Sequence, residues 1–186
     1  MTRQRLFRTT LLLLGLAGCD QKPDPASHSR SDAVASASRE MSGPSLFSTD
    51  RLLPALQTLR ATAGGKLLRL EIRARELTLQ AEDSNAPGGV VELHYRDGKV
   101  GEPEHATLRG KGQLADNLFD AADFTLDGIT ELTREAVRRV DAEAGTVDLI
   151  LVRRNLPDSE DVRLRVYVTS PRKNGYVDAD HTGQLL

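Results

Sequence analysis

Between residues 50 and 186 the apolar positions switch twice from a spacing of three and four to a spacing of two. Leu52, Leu56, Leu59 and Ala63 fall on one face of a helix, because side chains three and four apart share a face at 3.6 residues per turn. Gly64-Gly65 stops that helix, and Pro54, which has no N–H to donate, fits only near its first turn, so the start is expected between Asp50 and Leu53. Leu68, Leu70 and Ile72 then alternate with Arg69, Glu71 and Arg73, and Leu77, Leu79 and Ala81 alternate with polar residues. Val91, Leu93 and Tyr95 alternate with Glu92, His94 and Arg96 before a turn at Asp97-Gly98. Period two with one apolar face predicts antiparallel strands covered on one side.

The order recurs. Ile129, Leu132, Ala136, Val140 and Ala144 make a second helical stripe, with Glu131, Arg134, Glu135, Arg138 and Arg139 on the opposite face and Gly145 at its end. Thr125 or Asp127 is placed to cap its start. Three strand-like runs follow, "TVDLILVRR", "VRLRVYVTS" and "GYVDADHTGQL". Gly89-Val90-Val91-Glu92 aligns with Gly175-Tyr176-Val177-Asp178, and Leu77-Thr78-Leu79 with Leu164-Arg165-Val166, at a period close to 86 residues. The pattern predicts an α+β protein of two αβββ repeats, each an antiparallel sheet with a helix packed on one face. The first would span 46–101 and the second 124–186, with a connector over 102–123 and an added loop from Asn155 to Asp161. Leu132 and Val166 are expected to face the same interior.

The N-terminal end has a different character. Arg3, Arg5 and Arg8 precede a short run of leucines, and small residues lead to Cys19, the chain's one cysteine. That order is the pattern of an export signal, too short to cross a bilayer as a helix. Leu16-Ala17-Gly18-Cys19 resembles the lipobox of bacterial lipoproteins. The resemblance implies a signal peptide over residues 1–18, cleavage after Gly18 and acylation of Cys19, which would anchor the chain to a membrane of the bacterial cell envelope, facing the periplasm. Residues 20–45 are rich in Ser, Ala, Pro and Asp and lack apolar periodicity. Such a segment cannot bury enough surface to offset its ordering entropy, so 19–45 is expected to be a lipidated flexible tether, about 25–30 Å end to end if a random coil. The element order over roughly 50–186 is similar to that of PepSY-like domains and of the tandem αβ inhibitor proteins that bind β-lactamases. That likeness implies a binding or inhibitory role toward an envelope protein.

Composition narrows the chemistry. Loss of Arg3, Arg5 and Arg8 with the signal would leave 22 basic against 27 acidic residues, which argues against nucleic acid as a partner. Nucleophile-elbow, zinc-protease and phosphate-loop motifs are absent from the sequence, and no cofactor is implied. The strongest enzyme or metal candidate joins Glu92 and His94 with Asp178, Asp180 and His181, which requires the third strand of each half to be neighbours. Acids at period two are equally the mark of a solvated sheet face. Arg69, Arg73, Arg163 and Arg165 alternate with core residues and form a second pattern, interrupted by Glu71 and Glu92. Finally, Asn174-Gly175 reads as a hairpin turn whose tip carries Arg172 and Lys173, expected to project and to contact a partner.

Overall fold

The structure, a computed structural model, describes residues 45–108 and 112–186. Cys19, the signal peptide and the tether as far as residue 44 lie outside the described residues. The elements are α1 (Thr49–Ala63), β1 (Leu67–Ile72), β2 (Glu76–Glu82), β3 (Val90–Arg96), β4 (Lys99–Val100), β5 (Glu104–His105), α2 (Leu114–Asn117), α3 (Ile129–Asp141), β6 (Thr146–Arg154), β7 (Val162–Thr169) and β8 (Asn174–Ala179). All eight strands join one antiparallel sheet in the order β4-β3-β2-β1-β6-β7-β8, with β5 also on β3. The halves therefore do not carry separate sheets. β1 and β6 pair at the centre, and the described residues form one compact unit with one shared core.

The register explains that core. Residues directly opposite one another in a sheet point to the same face. Reading across the strands, Leu93, Leu79, Leu70, Val152, Leu164 and Ala179 form one buried row. Tyr95, Leu77, Ile72, Ile150, Val166 and Val177 form the next. α1 covers these rows over β2 and β3, and α3 covers them over β6, β7 and β8. Leu52, Leu56, Leu59 and Ala63 are buried from α1, and Ile129, Leu132, Ala136 and Val140 from α3, as their spacing predicts. Leu132 and Val166 do meet one interior.

Several local expectations are corrected. α1 begins at Thr49, one residue before the predicted window, and accommodates Pro54 in its second turn, on the exposed side. Thr49 there accepts the α3 region as a neighbour, its N–H donating to Thr130 Oγ1 (3.2 Å) and its hydroxyl to the Asp127 carbonyl (2.9 Å). Thr125 and Asp127 do not cap α3. They bond each other, and Gly128 takes the N-cap position without a side-chain bond. α3 ends at Asp141, so Ala144 lies beyond it and is exposed.

Leu68 is not a core residue. A register shift between Leu67 and Arg69 gives β1 an extra residue, which breaks the alternation, buries Leu67 and sets Leu68 on the outer side beside Arg69. Nor is Asn174-Gly175 a turn. Both residues pair with β7, and the chain reverses over Ser170–Lys173, where the Ser170 N–H donates to the Lys173 carbonyl (3.0 Å). Gly175 has a packing reason instead, since a Cβ there would meet Val140 Cγ1 at 3.1 Å. Asp97-Gly98 is a turn, with φ of 51° and 82°.

Both margins of the sheet are short. β5 pairs with Val91 and Glu92 and β4 with Tyr95 and Arg96 along the outer side of β3, while the Gly101 N–H donates to the His94 carbonyl between them (2.8 Å). At the other margin Leu185 bridges Ala179, and the Leu186 N–H donates to the Asp178 carbonyl (3.0 Å).

Candidate functional site

The face of the sheet turned away from the helices carries the side chains with chemistry. One row across it reads His94, Thr78, Glu71, Leu151, Arg165 and Asp178. β3 and β8 thus stand at opposite ends, separated by four strands, or about 24 Å at about 4.8 Å per step. Glu92 and His94 cannot gather with Asp178 and Asp180, and the assembled metal site expected from neighbouring third strands is excluded. Among the described residues no group of three or more His, Cys, Asp and Glu side chains is arranged to hold a metal ion.

Each end is internally paired. His94 lies between two carboxylates, Nδ1 at 3.2 Å from Glu76 Oε1 and Nε2 at 3.1 Å from Glu92 Oε1. Arg96 pairs with Glu76 at 2.7 Å, and Gln80 donates to Glu92 at 2.6 Å. The Arg96 hydrogen bond is the largest influence holding the Glu76 carboxyl below its usual range. Glu76, at the start of β2 and eighteen residues before His94, is not legible as its partner from the sequence because only the β2–β3 register brings them together. At the far end Arg165 grips Asp178 through two bonds (2.7 and 3.0 Å) and lies 4.1 Å from the Tyr176 ring centroid. Asp180 falls just past β8 and serves the chain's own turn, accepting from the Thr182 N–H, the Thr182 hydroxyl and the Gln184 N–H. His181 is exposed, and its carbonyl accepts the Thr125 N–H (2.9 Å).

Arg172 does not project. Its guanidinium donates to both carboxylate oxygens of Asp141 and, at 2.7 Å, to Glu143, stapling the β7–β8 tip to the end of α3. Asp141 is buried, and a buried carboxylate requires such a partner. Lys173 remains exposed, its backbone N–H held by Ser170 Oγ (3.0 Å). The Asp141 carboxyl is pulled well below its usual range, first by Arg172, then by Ser170. A carboxyl whose folded pKa lies below its unfolded value, near 4, contributes stability above that value and loses it as pH falls toward the folded one. Acid titration of thermal stability is therefore expected to fall from about pH 4 downward, and less steeply in Asp141→Asn. An identical acid limb in both proteins would show that the staple contributes nothing.

Several arginines of the outer face are paired with acids, Arg69 with Glu71 among them, whereas Arg153 and Arg163 meet none among the described residues. Arg73 pairs with Asp148 (3.3 Å), and Arg165 with Asp178. Between them, Arg153 stands directly across from Arg163, one step along from the Leu70–Val152 pair that sets Arg69 beside Arg153. Thr107, Leu108, Gly112, Gln113, Leu114 and Asn117 border a cleft of about 490 Å³ at this end of the face. Arg69, Arg153 and Arg154 line it with Gln80, Leu68 and Leu108. Arg153 and Arg154 end the run "TVDLILVRR", and the signal that would have found them is the outward phase of Arg153 with Leu151.

No protein-family profile, no curated protein and no solved structure shows significant similarity to this chain.

Proposed function

We propose that this chain is a lipid-anchored protein of the bacterial envelope that acts by binding, as an accessory or inhibitory partner of another envelope component, and not by catalysis. Leu16-Ala17-Gly18-Cys19 supports the anchor, and residues 20–45 support a tether long enough to hold the folded part clear of lipid headgroups. Among the described residues no helix is long and apolar enough to cross a membrane. The observation that carries the binding reading is the helix-free face: its acids and His94 are consumed in pairs, whereas its centre offers a lined cleft. Descent from two αβββ repeats is supported by the strand order, which runs 3-2-1-6-7-8 through the centre with a helix over each half.

Fractionation and palmitate labelling of Cys19→Ser test the anchor. The variant is expected to lose the label entirely and to leave the membrane pellet, while its folded part melts as the parent does. A labelled, pelleting variant would overturn the lipoprotein reading.

A further inference from the structure

We propose that the cleft on the helix-free face binds a small amphiphilic anion, its oxyanion head received by Arg69 and Arg153 and its short apolar body by Leu68, Leu108 and Leu156. Three observations converge on this. The first is uncompensated like charge. Arg153 and Arg163 are opposed across β6 and β7, an arrangement that destabilises a sheet when nothing negative lies between. Arg163 faces the neutral side-chain amide of Asn155 (3.2 Å), and Arg154 donates to the carbonyls of Leu118 (2.7 Å) and Glu160 (2.6 Å). Arg69 alone meets a carboxylate, Glu71 at 2.5 Å. Of the acids in the adjoining β6–β7 loop, Asp161 is engaged by Ser159 Oγ (2.9 Å). No Asp or Glu lines the cleft among the described residues.

The second observation is an orphan donor. Arg69 Nε is buried without a hydrogen-bond partner, and the rest of its guanidinium meets only Glu71, so the side chain is incompletely satisfied where it lines the cleft. The third is shape and polarity. About 490 Å³ lies within the range of small-molecule sites, about 300–1,000 Å³. Leu108 at the rim is 46% exposed, and the β1 bulge turns Leu68 out to the same wall as Arg69. Guanidinium groups match the planar or tetrahedral oxygens of carboxylate and phosphate through paired N–H donors, and two adjacent arginines favour the more highly charged head.

The inference rests on reading the protein as a binding module and is independent of its anchor. The test is titration calorimetry of the full chain in neutral detergent with four probes: butyl phosphate, butyrate, inorganic phosphate and butanol. Saturable one-to-one binding is expected for butyl phosphate, weaker binding for butyrate, weaker still for inorganic phosphate, and none for butanol. The order of the first two tells a phosphate source from a carboxylate source. Arg153→Gln is expected to weaken butyl phosphate about tenfold or more, about 1.4 kcal/mol per decade, and to raise the melting temperature of the ligand-free protein by removing the like-charge pair. Leu108→Ser should weaken butyl phosphate and leave inorganic phosphate unchanged, and Arg51→Gln, on α1, should change neither. Release of butanol from butyl phosphate would support the cleft and overturn the non-catalytic reading. Absence of saturable binding by every anion, equal affinity in Arg153→Gln, or a lower melting temperature in that variant would each overturn the proposal.

Discussion

Val166→Asp is expected to unfold the protein or bring it to the edge of unfolding at room temperature. Val166 is fully buried in the middle of β7, between Ile150 and Val177 in its row and beneath α3. A carboxylate placed there would lose its water and find no partner among the apolar groups of the core, costing several kcal/mol. Domains of this size are stable by about 5–15 kcal/mol in total. Leu132→Asp should act similarly from the helix side, Leu132 being 4% exposed. Thermal unfolding followed by far-ultraviolet circular dichroism checks both. A melting temperature unchanged in either variant would place that residue at the surface.

The second large effect is expected from the connector. Phe119→Ala should cost about 3–5 kcal/mol, the usual penalty for emptying a buried aromatic site. Phe119 is 1% exposed, packs edge-to-face on Phe124 at 5.8 Å, and exchanges two backbone hydrogen bonds of 2.8 Å with Leu67. It therefore does more than link two halves: it closes the end of the core between them. At about 2–4 °C per kcal/mol for a chain of this length, the melting temperature should fall by about 10 °C. A shift of about 2 °C or less would show that the ring can leave without a cavity.

Phe119 also marks a limit of sequence reading. The helices and most strands were legible because each buries one face, which writes a period of 3.6 or 2 into the apolar positions. Phe119, Phe124 and Leu126 lie in an aperiodic stretch, so their burial leaves no such trace. The alternation misplaces Leu68 because a bulge shifts it by one residue, and the glycine at position 175 imitates a turn residue because Val140, 35 positions away in the chain, is what demands it. The site was less legible still. Spacing showed that Glu92 and His94, and likewise Asp178 and Asp180, alternate with core residues. It did not show which strands are neighbours, and that decides whether four ligands converge or stand five steps apart. Arg172 reads as a projecting cation in the sequence because nothing in the spacing ties it to Asp141, 31 residues earlier.

The short margins of the sheet have a consequence for how such a chain behaves in company. Unpaired strand edges are templates on which other chains zip up, the first step toward swapped dimers and fibrils. For molecules concentrated on a surface, as the proposed anchor implies, that hazard grows with local density. Here β4, β5 and the Gly101–His94 bond line the outer side of β3, and Leu185 and Leu186 cover the end of β8, leaving little more than Asn174 to Val177 of that strand open. At the β3 margin close neighbours are thereby denied the backbone ladder through which sheets polymerise, and at the β8 margin that ladder is cut to a stretch of Asn174 to Val177.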